Sequence, residues 1–158
     1  QAGVEALLAP QHQQHQHDAG DTEHKGEIDI LTWSWGMEAQ RQPLTGQAKG
    51  RATIDELHVV KRVDQSSPTL MSYLRQNKVI PQVSLTVRKA GDTPLEYFRI
   101  ELTNAKINSL KAESSGDELM EHVDIGFSKV KVVYTPQGKT GGAGGGKVEF
   151  ETDAHAGV

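Results

Sequence analysis

Residues Gln82 to Lys89 alternate without a break: Val83, Leu85 and Val87 point one way, Ser84, Thr86 and Arg88 the other. A period of two is the geometry of a pleated strand, so this segment belongs to a sheet with one apolar face. The same period returns in Ile28 to Met37, where Leu31, Trp33, Trp35 and Met37 share a parity and Ser34 takes the opposite one. A second β-branched run, Thr53 to Val63, puts Leu57, Val59 and Val63 on one side. Gly91-Asp92 is a turn signal that returns the chain into Leu95 to Thr103, which predicts a hairpin. Ala105 to Ala112 reads as a further, weaker strand, and Ser114 to Asp117 as the next turn. The long run Met120 to Tyr134 changes apolar parity between Phe127 and Val130, which predicts a bulge or a strand passing from one packing surface to another.

Only one segment carries helical spacing. Ser67 is a good N-cap, Pro68 suits the first helical position, and Leu70, Met71 and Leu74 form an apolar stripe before Pro81. The expectation is a mainly β protein with one short helix over about residues 67–77. A single domain is expected over residues 27–153, containing a Gly-rich loop at 138–146 and a short strand at Val148 to Glu151, followed by a tail at 154–158. Residues 1–26, which include a Gln/His tract, are expected to be a polar arm or a divergent first strand.

Composition removes several function classes. The chain has no cysteine, so thiolate chemistry and disulfides are excluded. Its 17 basic and 21 acidic residues leave a net charge of −4, and they are mixed, which offers no footprint for nucleic acid. No apolar run reaches the roughly 20 residues of a membrane-spanning helix, and Val4 to Pro10 lacks the basic start of a secretory signal. Neither nucleic acid nor membrane insertion is expected.

The motifs that carry chemistry are incomplete. Gly141 to Lys147 reproduces a phosphate-binding loop up to its last position, but Val148 stands where a hydroxyl must hold magnesium, and the following residues read as strand. His12, His15 and His17 are candidate zinc, copper or nickel ligands, yet a Gln/His tract without carboxylate or cysteine partners at a recognised spacing reads as solvated low complexity. The pairs Asp55-Glu56 and Asp117-Glu118 are adjacent, so a strand splits them between faces and a turn exposes them to water. No catalytic residue and no cofactor is assigned. The core set expected from alternation includes Leu31, Trp33, Trp35, Val83, Leu85 and Val87.

Several segments together resemble one family. Glu27 to Gly36, with its Trp33-Ser34-Trp35-Gly36, is similar to the signature of the Hcp proteins of bacterial type VI secretion. Asp64, Ser66-Ser67-Pro68 and Leu70 resemble that family's helix start, Leu85 to Gly91 its central hairpin, and Phe127 to Gln137 its last long strand. The resemblance implies a two-sheet antiparallel β-barrel with a flanking helix. It implies six copies in a ring and rings stacked into a tube, with sheath, spike and effector proteins as partners. The protein would be made in the bacterial cytoplasm and released outside without a cleavable signal peptide. It also places Ser34 on the lumen of the ring, where it would meet effectors. Two other readings suit the residues: a monomeric barrel binding a small ligand, and a metal-binding module built on the histidine tract.

Overall fold

Alternating β-branched and polar residues form long strands when both neighbours are available for pairing, and the longest here supports two sheets at once. The computed structural model describes residues 4–10, 27–39, 52–89, 96–136 and 146–154. Eleven strands are found among them: β1 (Val4–Pro10), β2 (Ile28–Ile30), β3 (Thr32–Ser34), β4 (Met37–Ala39), β5 (Ala52–Ile54), β6 (Leu57–Arg62), β7 (Ile80–Lys89), β8 (Glu96–Ser115), β9 (Glu118–Gly126), β10 (Lys129–Tyr134) and β11 (Val148–Asp153). The helix α1 (Ser67–Arg75) lies between β6 and β7.

All pairings are antiparallel. Neighbours run β2-β1-β7-β8-β9-β6-β3, while β10 and then β11 branch from the first half of β8. The first sheet is therefore β2, β1, β7, the first half of β8, β10 and β11. The second is the remainder of β8 with β9, β6 and β3. The two ends of the path, β2 and β3, are joined through Leu31 alone, whose N–H donates to the Val60 carbonyl at 2.8 Å. The curl thus closes on itself as a barrel.

β8 was expected as two strands and is one, 20 residues long. Asn104, with φ +52°, bends it where it leaves β7 and β10 for β9. Asparagine tolerates the left-handed region better than other residues with a Cβ, so the chain turns the barrel corner without a loop. The parity change in Met120 to Tyr134 has a related cause. The run divides at Phe127–Ser128 into β9 and β10, which pair with the two halves of β8. Gly116, at φ +61°, takes the first turn position between Ser115 and Glu118, as a type II′ hairpin requires.

Three expectations need correction. Ile28 to Met37 is not one strand: the bend at Leu31 moves Ile30 into the core, leaves Leu31 half-buried and exposes Met37. In the helix, Ser66 holds the N-cap position but its side chain caps no helix N–H, and Met71, placed on the apolar stripe, is exposed. Of the two readings for residues 1–26, Val4–Pro10 takes the strand. It pairs with β2 over Ala6 to Leu8 and with β7 along its whole length. Pro10 is accommodated because it is the last residue, beyond the β2 pairing, where a missing donor interrupts no two-sided ladder. The histidine tract, the loop Arg41 to Gly50, the turn Gly91-Asp92 and residues 138–145 lie outside the described residues.

The interior is filled by Leu57, Val59, Leu85, Ile100, Leu102, Val123, Ile125 and Val130, all essentially inaccessible, with Val83 and Val87 beside them. Trp33 and Trp35 are partly buried against this core, and Trp33 stacks on Phe98 of the other sheet with ring centroids 5.6 Å apart. The opposite face of β7 is covered too: Ser84, Thr86 and Arg88 are buried. Burying both faces of a strand is the mark of a central position.

Candidate functional site

The second sheet has two faces, set by the period of two. Its inner face takes Leu57, Val59 and Lys61 from β6 and Glu121, Val123 and Ile125 from β9. Lys61 and Glu121 are register partners, and neither exposes any side-chain surface. The Lys61 ammonium bonds to Glu121 Oε1, to Ser67 Oγ at 3.2 Å and to Asp64 Oδ1 at 3.1 Å. Ser67 Oγ donates to Glu121 Oε1 at 2.7 Å and accepts the Asp64 N–H at 3.0 Å. Ser67, expected as a cap, thus ties the first turn of α1 to the barrel wall.

Asp64 completes the helix start. Its Oδ1 accepts the Ser66 N–H at 2.8 Å and the Ser66 hydroxyl at 2.5 Å. Partial burial pushes the carboxyl up, but the Ser66 bonds and the Lys61 ammonium outweigh it and hold Asp64 below its ordinary value of 3.8.

The outer face carries polar residues in rows across the sheet. Ser34 pairs with His58, His58 with Asp124, and Asp124 with Ser109. The next row is Thr32, Val60, His122 and Lys111. Ser34 is exposed and points away from Trp33 and Trp35, so the alternation places a small hydroxyl at the β3 end of a solvated, charged surface. His58 Nδ1 donates to Asp124 Oδ1 at 2.6 Å, and His122 Nε2 donates to Glu113 Oε1 at 3.0 Å.

The predicted core residues therefore divide: Val83, Leu85 and Val87 are buried, Trp33 and Trp35 are partly so, and Leu31 sits at the bend. His12, His15 and His17 lie outside the described residues. Val148 opens β11, a strand and not a helix, so the phosphate-loop pattern lacks its structural context. Sequence reasoning missed the buried ion pair and the outer histidines. The signal for the pair was present: Lys61 shares the parity of Leu57 and Val59, and Glu121 that of Val123 and Ile125.

A third surface lies where the first sheet extends past the barrel. Val132 of β10 faces the core, and the same face continues through its register partner Phe150 and through the pair Tyr134 and Val148. Phe150 is 42% exposed, Tyr134 45% and Val148 63%. The reverse face carries the ion pairs Lys131–Glu149, 3.1 Å, and Lys129–Glu151, 3.6 Å.

Comparison with known proteins agrees with this geometry. Residues 17–134 match the family model described as type VI secretion system effector, Hcp. The chain is 36% identical to protein Hcp1 of Pseudomonas aeruginosa over 138 residues, covering 84% of this chain and 85% of that protein. The crystal structure of Hcp1 from Salmonella typhimurium superimposes with a TM-score of 0.77 at 27% identity, over 97% of this chain and 96% of the other. A structure described as a type six secretion system protein matches in fold with a TM-score of 0.82 at 22% identity, over 96% of each chain.

Proposed function

The chain belongs to the Hcp family of type VI secretion proteins, and on that premise we propose that it is a tube subunit whose six copies close into a ring, with rings stacking head to tail. The observation that supports this most directly is the apolar row Val132, Phe150, Tyr134 and Val148. A core-facing surface that runs out to an uncovered sheet edge needs a partner, and β11 has no second strand neighbour among the described residues. A contact between one such edge and a different surface of the next copy is heterologous, and a heterologous contact closes into a ring when its rotation permits.

In this arrangement the outer face of the second sheet, with Ser34 on its last strand, lines the channel. A small hydroxyl leaves the passage open, and the mixed charges around it give a wetted wall that holds varied effector proteins without firm adhesion. The tube is expelled together with a spike from inside a sheath, so the protein is made in the cytoplasm and released without a cleavable leader. Its role is structural, not catalytic.

Light scattering on a size-exclusion column, with negative-stain images, tests the reading. Six copies of 17.2 kDa make about 103 kDa, and closed rings are expected at that mass. A clean monomer would overturn the assembly and leave shared fold without shared quaternary structure.

A further inference from the structure

β6 and β9 set two imidazoles side by side on the outer face of the second sheet. His58 and His122 are diagonal neighbours, with ring centroids 5.5 Å apart and planes inclined by 34°. An ionised carboxylate only accepts hydrogen bonds, so the proton of each neutral ring is assigned by its partner. His58 carries it on Nδ1, facing Asp124, and His122 on Nε2, facing Glu113. The remaining lone pairs, on His58 Nε2 and His122 Nδ1, then meet across 3.4 Å.

Two lone pairs at that distance repel each other unless a cation stands between them. A shared proton meets the need poorly, because 3.4 Å is long for a nitrogen–nitrogen hydrogen bond. A metal ion meets it well. Two nitrogens bound at about 2.0–2.1 Å to one tetrahedral zinc ion are separated by about 3.3–3.4 Å. Metal-binding histidines also usually give their other N–H to a carboxylate, which fixes the tautomer and raises the basicity of the ligating nitrogen. Both rings have that support here.

We propose that His58 Nε2 and His122 Nδ1 bind a divalent transition-metal ion of the zinc class, oriented by Asp124 and Glu113. Among the described residues no group of three or more histidine, cysteine or acidic side chains is arranged to hold a metal. The site is therefore a two-point one on an open face, completed by water, and it suits a reversibly held ion rather than a structural one. Ring assembly is not required for it.

The test uses the full chain with His12, His15, His17, His24 and His155 replaced by glutamine, so that only the two proposed ligands remain. Titrated with zinc chloride in a calorimeter, this chain is expected to take up one ion in the micromolar range. The carbon-bound imidazole proton resonances of both rings should shift together. On that background His58→Gln or His122→Gln should weaken binding at least about tenfold, and Asp124→Asn, which keeps both ligands, also by about tenfold. Zinc that leaves both rings' resonances unmoved overturns the proposal, as does binding undiminished in folded His58→Gln. The resonance measurement alters neither ligand, so it stands even if a substitution at either histidine disturbs folding.

Discussion

Lys61 and Glu121 face each other between β6 and β9 with no side-chain surface exposed, and Ser67, in the first turn of α1, hydrogen-bonds to both. Removing Lys61 strands the Glu121 carboxylate in the core, which typically costs about 3–5 kcal/mol, whereas removing Glu121 leaves the ammonium still paired with Asp64 at 3.1 Å. Lys61→Ala is expected to destabilise by about that amount in urea unfolding, and Glu121→Ala by less, because Asp64 still pairs the ammonium. Replacing both with Met and Leu should recover most of the loss, because desolvation opposes the pair's own attraction. A double replacement as unstable as either single one would show that the pair itself stabilises the fold.

Asp64 gives the helix start a pH dependence. Its carboxyl titrates lower in the folded chain than in the unfolded one, so its contribution to stability is present above the ordinary value of 3.8 and is lost as pH falls through the lower folded value. Asp64→Asn should be less stable than the parent at neutral pH, with the difference shrinking as the solution is acidified below about pH 3.8. Melting temperatures measured from pH 7 downward check this. A gap that stays constant would mean that Asp64 acts through shape and not through charge.

The apolar row beyond the barrel offers a direct test of ring closure. Phe150→Glu puts a charge where Val132 and its neighbours need cover, and should leave the fold intact while reducing the native mass from about 103 kDa toward that of one chain. Light scattering reads the mass and circular dichroism the fold. Unchanged rings would move the interface elsewhere.

Ser34 sits beside His58 on the outer face. Ser34→Trp should preserve rings and reduce retention of effector proteins in a pull-down, since an indole would crowd the channel without touching the core. Unaltered retention would separate cargo binding from this wall.

Strand existence was legible because alternation is local: Val83, Leu85 and Val87 declare a buried face without reference to any neighbour. What the alternation did not carry was where a strand bends. Leu31 has the parity of Trp33 but sits at a corner, and Asn104 turns β8 without interrupting its pairing. Both depend on which strands lie alongside. Ser67 misled in a similar way: a serine before proline reads as a cap from local chemistry, yet its hydroxyl is claimed by Glu121, 54 residues away. The outer histidines were invisible for the same reason, since His58 and His122 meet only across a register that pairs residues more than sixty positions apart.

The 20-residue β8 crosses both sheets without a loop, and this has a mechanical meaning. Force applied to one sheet passes to the other along a continuous backbone laced on its flanks by β7, β10 and β9, so the load is shared by many hydrogen bonds in shear. The two sheets are thereby loaded together rather than parted from each other, which suits the tube subunit proposed above.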